Sequence, residues 1–378
     1  KREQGKFYQQ KLLPYGYTTG SCAAGAAKAA TLMLCTGRKV DRVPLMTPGG
    51  VLLELEVLDP VLDEKSASCA VRKDGGDDPD ATSGLLIYAR VQRISRGIQI
   101  EGGVGVGRVT KPGLDQPVGA AAINHVPRRM IQAAVQEAMA GEPGGMEVTI
   151  YVPRGEEVGR KTFNPHLGIV GGISILGTSG IVEPMSQQAL IDTTRVELNM
   201  RRALGDTDLL LTVGNYGDDF ARYKLGLSLE RRIKCSNFVG QTLSDAAALG
   251  FHRVLLIGHI GKLVKLGAGI LNTHSSQADA RMEILVSCAL ARGASLEALR
   301  AVAACVTTEA ALRELRRFHM LEPTMEELGC RVTAQLERRF GDFLELGVVI
   351  FSGQREEGQI LCLCGRGGAL LEHWRRLS

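Results

Sequence analysis

"GISILGTSGIVEPMSQQALIDTTRVELNM", Gly172 to Met200, passes from a short apolar run through a glycine turn into a helical pattern. Strand, small-residue turn and helix in that order form the repeating unit of a parallel, doubly wound sheet. The same grammar recurs downstream. "DLLLTVG", "RIKCSNFV" and "RVLLIGH" are short apolar runs, several followed by helical pattern, and "LELGVVIFS" with "GQILCLCG" predicts a hairpin-like pair of strands closing the sheet. Upstream the grammar differs. A helix from about Ser21 to Cys35 and a second near "AAINHVPRRMIQAAVQEAM" accompany long strand-like runs, "VLLELEVL", "SCAVRK", "GLLIYARVQRI", "GIQIEG" and "MEVTIYVP". Many strands with two helices predict an α+β sheet domain. The change falls in "GEEVGRKTFNP", so the expected fold is an α+β N-terminal domain over residues 1–163 followed by an α/β Rossmann-like domain with a mostly parallel sheet over 164–378.

Composition agrees with two domains, since 378 residues at 44% hydrophobic can bury a sizeable core. A net charge of +4 gives no strong case for nucleic acid or a membrane surface, but leaves room for an anionic small molecule. No apolar run approaches the roughly 18 residues of a spanning helix, and nothing at the start reads as a signal peptide. Nine scattered cysteines read as reduced thiols, which predicts a cytoplasmic protein. Cys362 and Cys364 sit close together, but "LCLCG" fits an alternating strand better than a zinc site.

Ligands of doubly wound sheets bind outside the carboxyl ends of the strands. Three such ends carry glycine. The turn Gly177, Thr178, Ser179 and Gly180 lets backbone and hydroxyls approach a ligand, and Glu183 precedes the next helix, where it suits ribose hydroxyls. "LLLTVGNYGDDFA" offers Gly214 and Asn215 with the acidic pair Asp218 and Asp219, which suit a neutral or cationic ligand better than a polyphosphate. "LLIGHIGKLVKLGAGILNTHS" adds His259 and His274 around a basic stretch.

The first half supplies a different set. In "GYTTGSCAAGAAKAA", Gly16 to Ala30, Thr18, Thr19 and Ser21 stand at the start of an alanine-rich helix, whose free N–H groups suit a carboxylate or phosphate. Ordinary capping by Ser21 or Thr19 explains the same residues. "KDGGDDPDATSG", Lys73 to Gly84, is an acidic turn in which oxygen ligands for a cation compete with plain side-chain-to-backbone bonds. In "EGGVGVGRVTKPGL" the glycines alternate with valines and no helix follows, so the dinucleotide fingerprint fails. That alternation lets a flat ligand or another backbone approach one face, flanked by Arg108 and Lys111.

These strings, with "INHVPRRMI" and "NPHLGIVGGISILGTSGIVEPMS", together resemble the CbiD family of cobalt-precorrin-5B C1-methyltransferases, in order over about residues 14 to 275. Ser83 and His125 depart from the pattern, which has histidine and proline there, so neither position is given a role. The resemblance implies methylation of C1 of cobalt-precorrin-5B to cobalt-precorrin-6A in anaerobic cobalamin biosynthesis, with S-adenosyl-L-methionine as donor. It assigns no protein metal, because the cobalt travels in the tetrapyrrole substrate. The acid arms of that substrate would meet Thr18, Thr19, Ser21, Lys28, Arg108, Lys111, Arg128 and Arg129. The donor would meet Gly177 to Gly180, Glu183, Gly214, Asn215, Asp218 and Asp219. Asp192, His259 and His274 are the candidates for a proton acceptor. Neither nucleic acid nor membrane is expected as a partner, and homo-oligomer formation stays open. On the residues alone, a phosphoryl transferase using the aspartates for Mg²⁺ and a non-catalytic tetrapyrrole carrier also remain.

Overall fold

The computed structural model describes residues 5–8, 11–76, 80–183, 186–353 and 358–378. Asp77 and Asp78 of the acidic turn lie outside the described residues, as does Pro184, where a helix was expected to open. The chain packs as two units, Lys1–Gln187 and Gln188–Ser378.

In the first unit β1 (Gly16–Tyr17) leads into α1 (Thr19–Thr36). The strands β2 (Leu58–Leu62), β3 (Ser66–Arg72), β4 (Leu86–Ile94) and β5 (Gly97–Gly102) follow, then the short β6 (Gly105–Val106) and β7 (Arg108–Val109). Helix α2 (His125–Met139) and β8 (Gly145–Tyr151) complete the main sheet, whose order is β2-β3-β4-β8-β5. It is antiparallel except where β8 runs parallel to β5.

Helix α1 is buried almost all round, which is why its sequence shows small residues rather than an amphipathic stripe. Alanines let it lie close to its neighbours, and a Cβ at Gly25 would come within 2.4 Å of Leu55 Cδ1. The helix starts at the Thr18 cap and stops at Gly37, whose φ of 69° is the left-handed conformation of a helix stop.

The expected boundary at residue 163 is wrong for a topological reason. Three short strands beyond it return to the first unit: β9 (Ile169–Val170) pairs with β7, β10 (Gly172–Ile173) with β6, and β11 (Ile181–Val182) with β1. "GISIL" therefore closes the first unit instead of opening the parallel sheet.

The second unit holds α3 (Gln187–Ala203) from Gln188 onward, β12 (Asp208–Val213), α4 (Gly214–Asp219), β13 (Arg232–Lys234), α5 (Val239–Ala248) and β14 (Arg253–His259). Next come α6 (Ile260–Leu263), α7 (Arg281–Ala291), α8 (Thr308–Arg317), α9 (Leu321–Phe340), β15 (Glu345–Ser352), β16 (Gln359–Gly365) and α10 (Gly367–Leu377). The sheet order is β13-β12-β14-β15-β16, parallel except for the final β15–β16 pair. Leu209, Leu211, Leu256 and Val348 face one core with α5, α7, α8 and α9. Leu210, Leu255, Ile257 and Phe351 face another with Trp374 of α10. The unit is thus doubly wound. Its order corresponds to the flavodoxin-type 2-1-3-4-5, not to the dinucleotide-binding order implied by "Rossmann-like".

Candidate active site

The glycine turn and the threonine-rich helix end, read separately in the sequence, are one structure in the first unit. The Gly180 carbonyl accepts from Ser21 Oγ at 2.6 Å and from the Thr18 N–H at 3.2 Å. The Leu176 carbonyl accepts from the Gly20 N–H at 3.0 Å, and Thr19 Oγ1 accepts from the Leu176 N–H at 2.9 Å. Thr18 Oγ1 itself accepts from the Ser21 N–H at 3.2 Å. Apart from the Leu176 N–H, these donors belong to the cap and first turn of α1, so the chain's own carbonyls and cap hydroxyl occupy the place expected for an anion. Gly177 and Gly180 fit tightly. A Cβ at Gly177 would lie 2.4 Å from Thr18 Oγ1, and one at Gly180 2.7 Å from Thr47 Cβ. Thr178 is exposed, Ser179 Oγ bonds within its own turn to Ile181 O at 3.1 Å, and Glu183 is exposed just past β11. Gly177 to Glu183 are therefore not at a strand end of the parallel sheet. Cys22, in the same buried turn, has its thiol pushed up to about 12 by burial and stays protonated.

The other first-unit candidates divide into bound and unbound cations. Buried Lys28 donates to Pro44 O at 2.8 Å and to Glu137 at 2.9 Å, tying α1 to α2. Arg108 pairs with Glu101 at 2.9 Å and donates to Gly102 O at 2.8 Å. Arg128 donates to Ile123 O and Ile100 O, at 2.9 and 3.0 Å. Half-buried Lys111 and exposed Arg129 have no such partner among the described residues. The second helix start is closed too, because Asp115 accepts from the His125 N–H at 2.7 Å. In the acidic turn, buried Lys73 pairs with Asp80 at 2.9 Å, and Asp74 accepts from the Gly76 N–H at 2.9 Å. The alternating glycines are packed against the chain itself: a Cβ at Gly105 would fall 1.8 Å from Val152 O, one at Gly102 2.7 Å from Ala121 Cβ, and one at Gly107 2.4 Å from Ile169 Cγ2. No room for a flat ligand is left there.

In the second unit the switch point of the sheet lies between β12 and β14, where the chain order reverses. Their carboxyl ends carry Gly214 and His259. Gly214 takes φ of 75°, and a Cβ there would sit 3.4 Å from Lys262 Nζ. Lys262 is half-buried, and burial together with Lys265 and Lys234 pushes its pKa down, with the Cys235 thiol acting in the opposite sense. It has no hydrogen bond or ion pair among the described residues. Asn215 is fixed by Lys234 Nζ at 2.7 Å. Asp218 is an internal strut: it accepts from Thr212 Oγ1 at 2.5 Å and from Arg232 at 2.9 Å, and pairs with Lys234 at 3.1 Å. Asp219 is half-buried in the next position, and the Tyr216 ring stands 51% exposed with its centroid 6.0 Å from that of His259.

His259 caps α6. Its Nδ1 accepts from the Gly261 N–H at 3.1 Å, which places the proton of the neutral ring on Nε2, 3.1 Å from Glu309 Oε1. Burial lowers its pKa against the pull of Glu309. A neutral ring so held has no lone pair left for a substrate proton. His274 Nδ1 accepts locally from the Ser276 N–H at 3.2 Å, and Asp192 on α3 accepts from Gln188 at 2.8 Å. Sequence reading missed Lys262, named only within a basic stretch, and Glu197. The latter is pushed up to about 7 by burial, against Arg232, Arg201 and Lys234. Its surroundings "RVELNM" form an ordinary helical pattern with no signal. A cavity at the opposite, amino end of the strands is lined by pairs that neutralise each other, Arg253 with Asp208 at 2.8 Å and Arg366 with Glu345 at 2.9 Å.

Comparison with known proteins gives consistent matches. The family model described as CbiD matches residues 6–184, and that described as CbiD, C-terminal domain, matches residues 272–362. A cobalt-precorrin-5B C(1)-methyltransferase of Photorhabdus laumondii is 47% identical over 333 residues, 88% of this chain and 86% of that protein. One from Tolumonas auensis is 45% identical over 352 residues, 92% of each chain. The crystal structure of a cobalamin biosynthesis protein (cbiD) from Archaeoglobus fulgidus aligns at 28% identity with a TM-score of 0.39, over 73% of this chain and 87% of that one.

Proposed function

The chain belongs to the CbiD family, and on that premise we propose that its second unit binds S-adenosylmethionine as methyl donor in the crevice between β12 and β14. The protein is a methyltransferase of cobalamin biosynthesis, acting on C1 of cobalt-precorrin-5B. The observation that carries this activity is the match to curated C1-methyltransferases over nearly the whole chain.

The crevice suits the donor chemically. Gly214 leaves open a cradle that a side chain would fill, unpaired Lys262 supplies a positive group beside it, and exposed Tyr216 offers a ring face to a flat base. When bound, the donor supplies an electrophilic methyl group on sulfonium sulfur. The task left to the chain is to hold that group in line with the substrate carbon and keep water away. Asn215, fixed by Lys234, and Gly214 hold the turn; His259 holds the start of α6, and with it Lys262. Among the cations expected to meet the substrate's acid arms, Lys111 and Arg129 are the candidates that remain, whereas Thr18, Thr19, Ser21 and Lys28 serve the fold of the first unit.

The test is incubation of the protein with cobalt-precorrin-5B and S-adenosylmethionine carrying a deuterated methyl group, read by mass spectrometry of the tetrapyrrole. Incorporation of one labelled methyl at C1 is expected. Absence of label from the tetrapyrrole would refute the donor assignment.

A further inference from the structure

The fully buried lysines among the described residues are all satisfied by the chain. Lys28 has Pro44 O and Glu137, Lys73 has Asp80, and Lys265 donates to Thr273 O and Ala278 O at 3.1 and 2.7 Å. Lys234, beside the crevice, has Asn215 and Asp218. A half-buried ammonium without such partners is unfavourable unless something completes it. Lys262, like Lys111 in the first unit, lacks such partners among the described residues, and the like charges that bear on it are those of Lys265 and Lys234. Its Nζ overhangs Gly214 at the switch point, where no side chain intervenes. The neighbouring acid, Asp218, is already taken up by Thr212, Arg232 and Lys234 and is not available to it.

An anion carried by a ligand would complete Lys262, and the absence of a side chain at Gly214 leaves room beside it for a small one. Resting on the reading of this crevice as the donor site, we propose that Lys262 binds the carboxylate of the donor's amino-acid moiety. Carboxylates also occur on the tetrapyrrole, so the shared chemistry is a carboxylate and the two sources need separating. The donor is favoured because exposed Tyr216, which suits a flat base, stands at the same strand end.

Isothermal titration of the full chain with S-adenosylhomocysteine and with methylthioadenosine separates the possibilities, since the second ligand keeps the adenosine and thioether but lacks the amino acid. Lys262→Met should weaken S-adenosylhomocysteine about tenfold to a hundredfold, the effect of losing a charge-assisted hydrogen bond. Methylthioadenosine affinity should stay within about twofold. Lys262→Arg should recover part of the loss, and thermal melting of each variant reports whether the fold is kept. Equal weakening of both ligands, or of neither, overturns the carboxylate assignment. Unchanged S-adenosylhomocysteine binding with weakened cobalt-precorrin-5B binding also overturns it, in favour of the tetrapyrrole as source. A native protein that binds neither ligand refutes the donor reading itself, an outcome distinct from the others.

Discussion

Replacing Gly180 by alanine tests whether the glycine turn clamps the first unit or serves a ligand. Gly180 has φ of 84°, and a Cβ there would lie 2.7 Å from Thr47 Cβ, 2.9 Å from Thr47 Cγ2 and 3.0 Å from Ser21 Oγ. Left-handed backbone costs a residue with a Cβ roughly 1–2 kcal/mol. Crowding against buried Thr47 and Ser21, neither of which can swing clear, adds roughly 1–3 kcal/mol. The sum, about 3 kcal/mol, corresponds to a fall in melting temperature of about 6–12 °C for a unit of this size. Gly171 provides the control, because its φ of 81° is similar and a Cβ there would meet nothing within 4 Å. Gly171→Ala should show the backbone part alone, and the difference between the variants is the crowding. The assay is thermal melting of the full chain by circular dichroism, paired with titration of S-adenosylhomocysteine. Donor affinity should be unchanged in the folded Gly180→Ala protein. A variant that melts with the native protein but loses donor affinity would refute the clamp and return Gly180 to a donor site.

Two further outcomes follow from protonation. His259→Asn keeps an acceptor for the Gly261 N–H, so kcat should stay within about tenfold, whereas removing a general base costs roughly 10²–10⁴; a loss of that size would contradict the assignment of His259 as a cap. Glu197, at about 7 when folded, keeps a proton that the unfolded chain releases near about 4.3, so native stability should fall as pH rises between those values. Glu197→Gln should remove up to about 3 kcal/mol of that decline, measured by urea unfolding at about pH 5 and about pH 8, and a variant with native pH dependence would show the carboxyl to be unperturbed.

The parts of the fold that the sequence made legible are those specified by neighbours in the chain. Short apolar runs ending at Gly214 and His259 did become parallel strands with their ends at the switch point, and "LELGVVIFS" with "GQILCLCG" did form the antiparallel closing pair. "GISILGTSG" follows the same local rule yet belongs elsewhere, because its partners, β6 and the start of α1, are supplied by remote parts of the chain. The same distance hid Lys28. The family resemblance offered it as a cation for substrate, and only the packing of α2 brings Glu137 to it. Glu197 and Lys262 were illegible for a related reason: what distinguishes them is the burial and charge around them, which spacing along the chain does not encode.

The two glycine turns show why donor and acceptor accounting separates a structural joint from a binding site where sequence pattern does not. Both carry positive-φ glycines beside a helix start. At Gly180 the chain answers the start of α1: the hydroxyls of Thr18, Thr19 and Ser21 and the N–H groups of Gly20 and Ser21 find partners. A ligand there would have to displace hydrogen bonds already made in a buried setting, leaving polar groups unsatisfied. At Gly214 the neighbouring Asp218 is already engaged with Arg232 and Lys234, and the Lys262 ammonium is left without a partner in a space that glycine keeps open. A ligand there gains an interaction without breaking one. The same comparison explains why adding a side chain should act differently at the two places: at Gly180 it strains the fold, whereas at Gly214 it would fill the space beside Lys262 and compete with any ligand bound there.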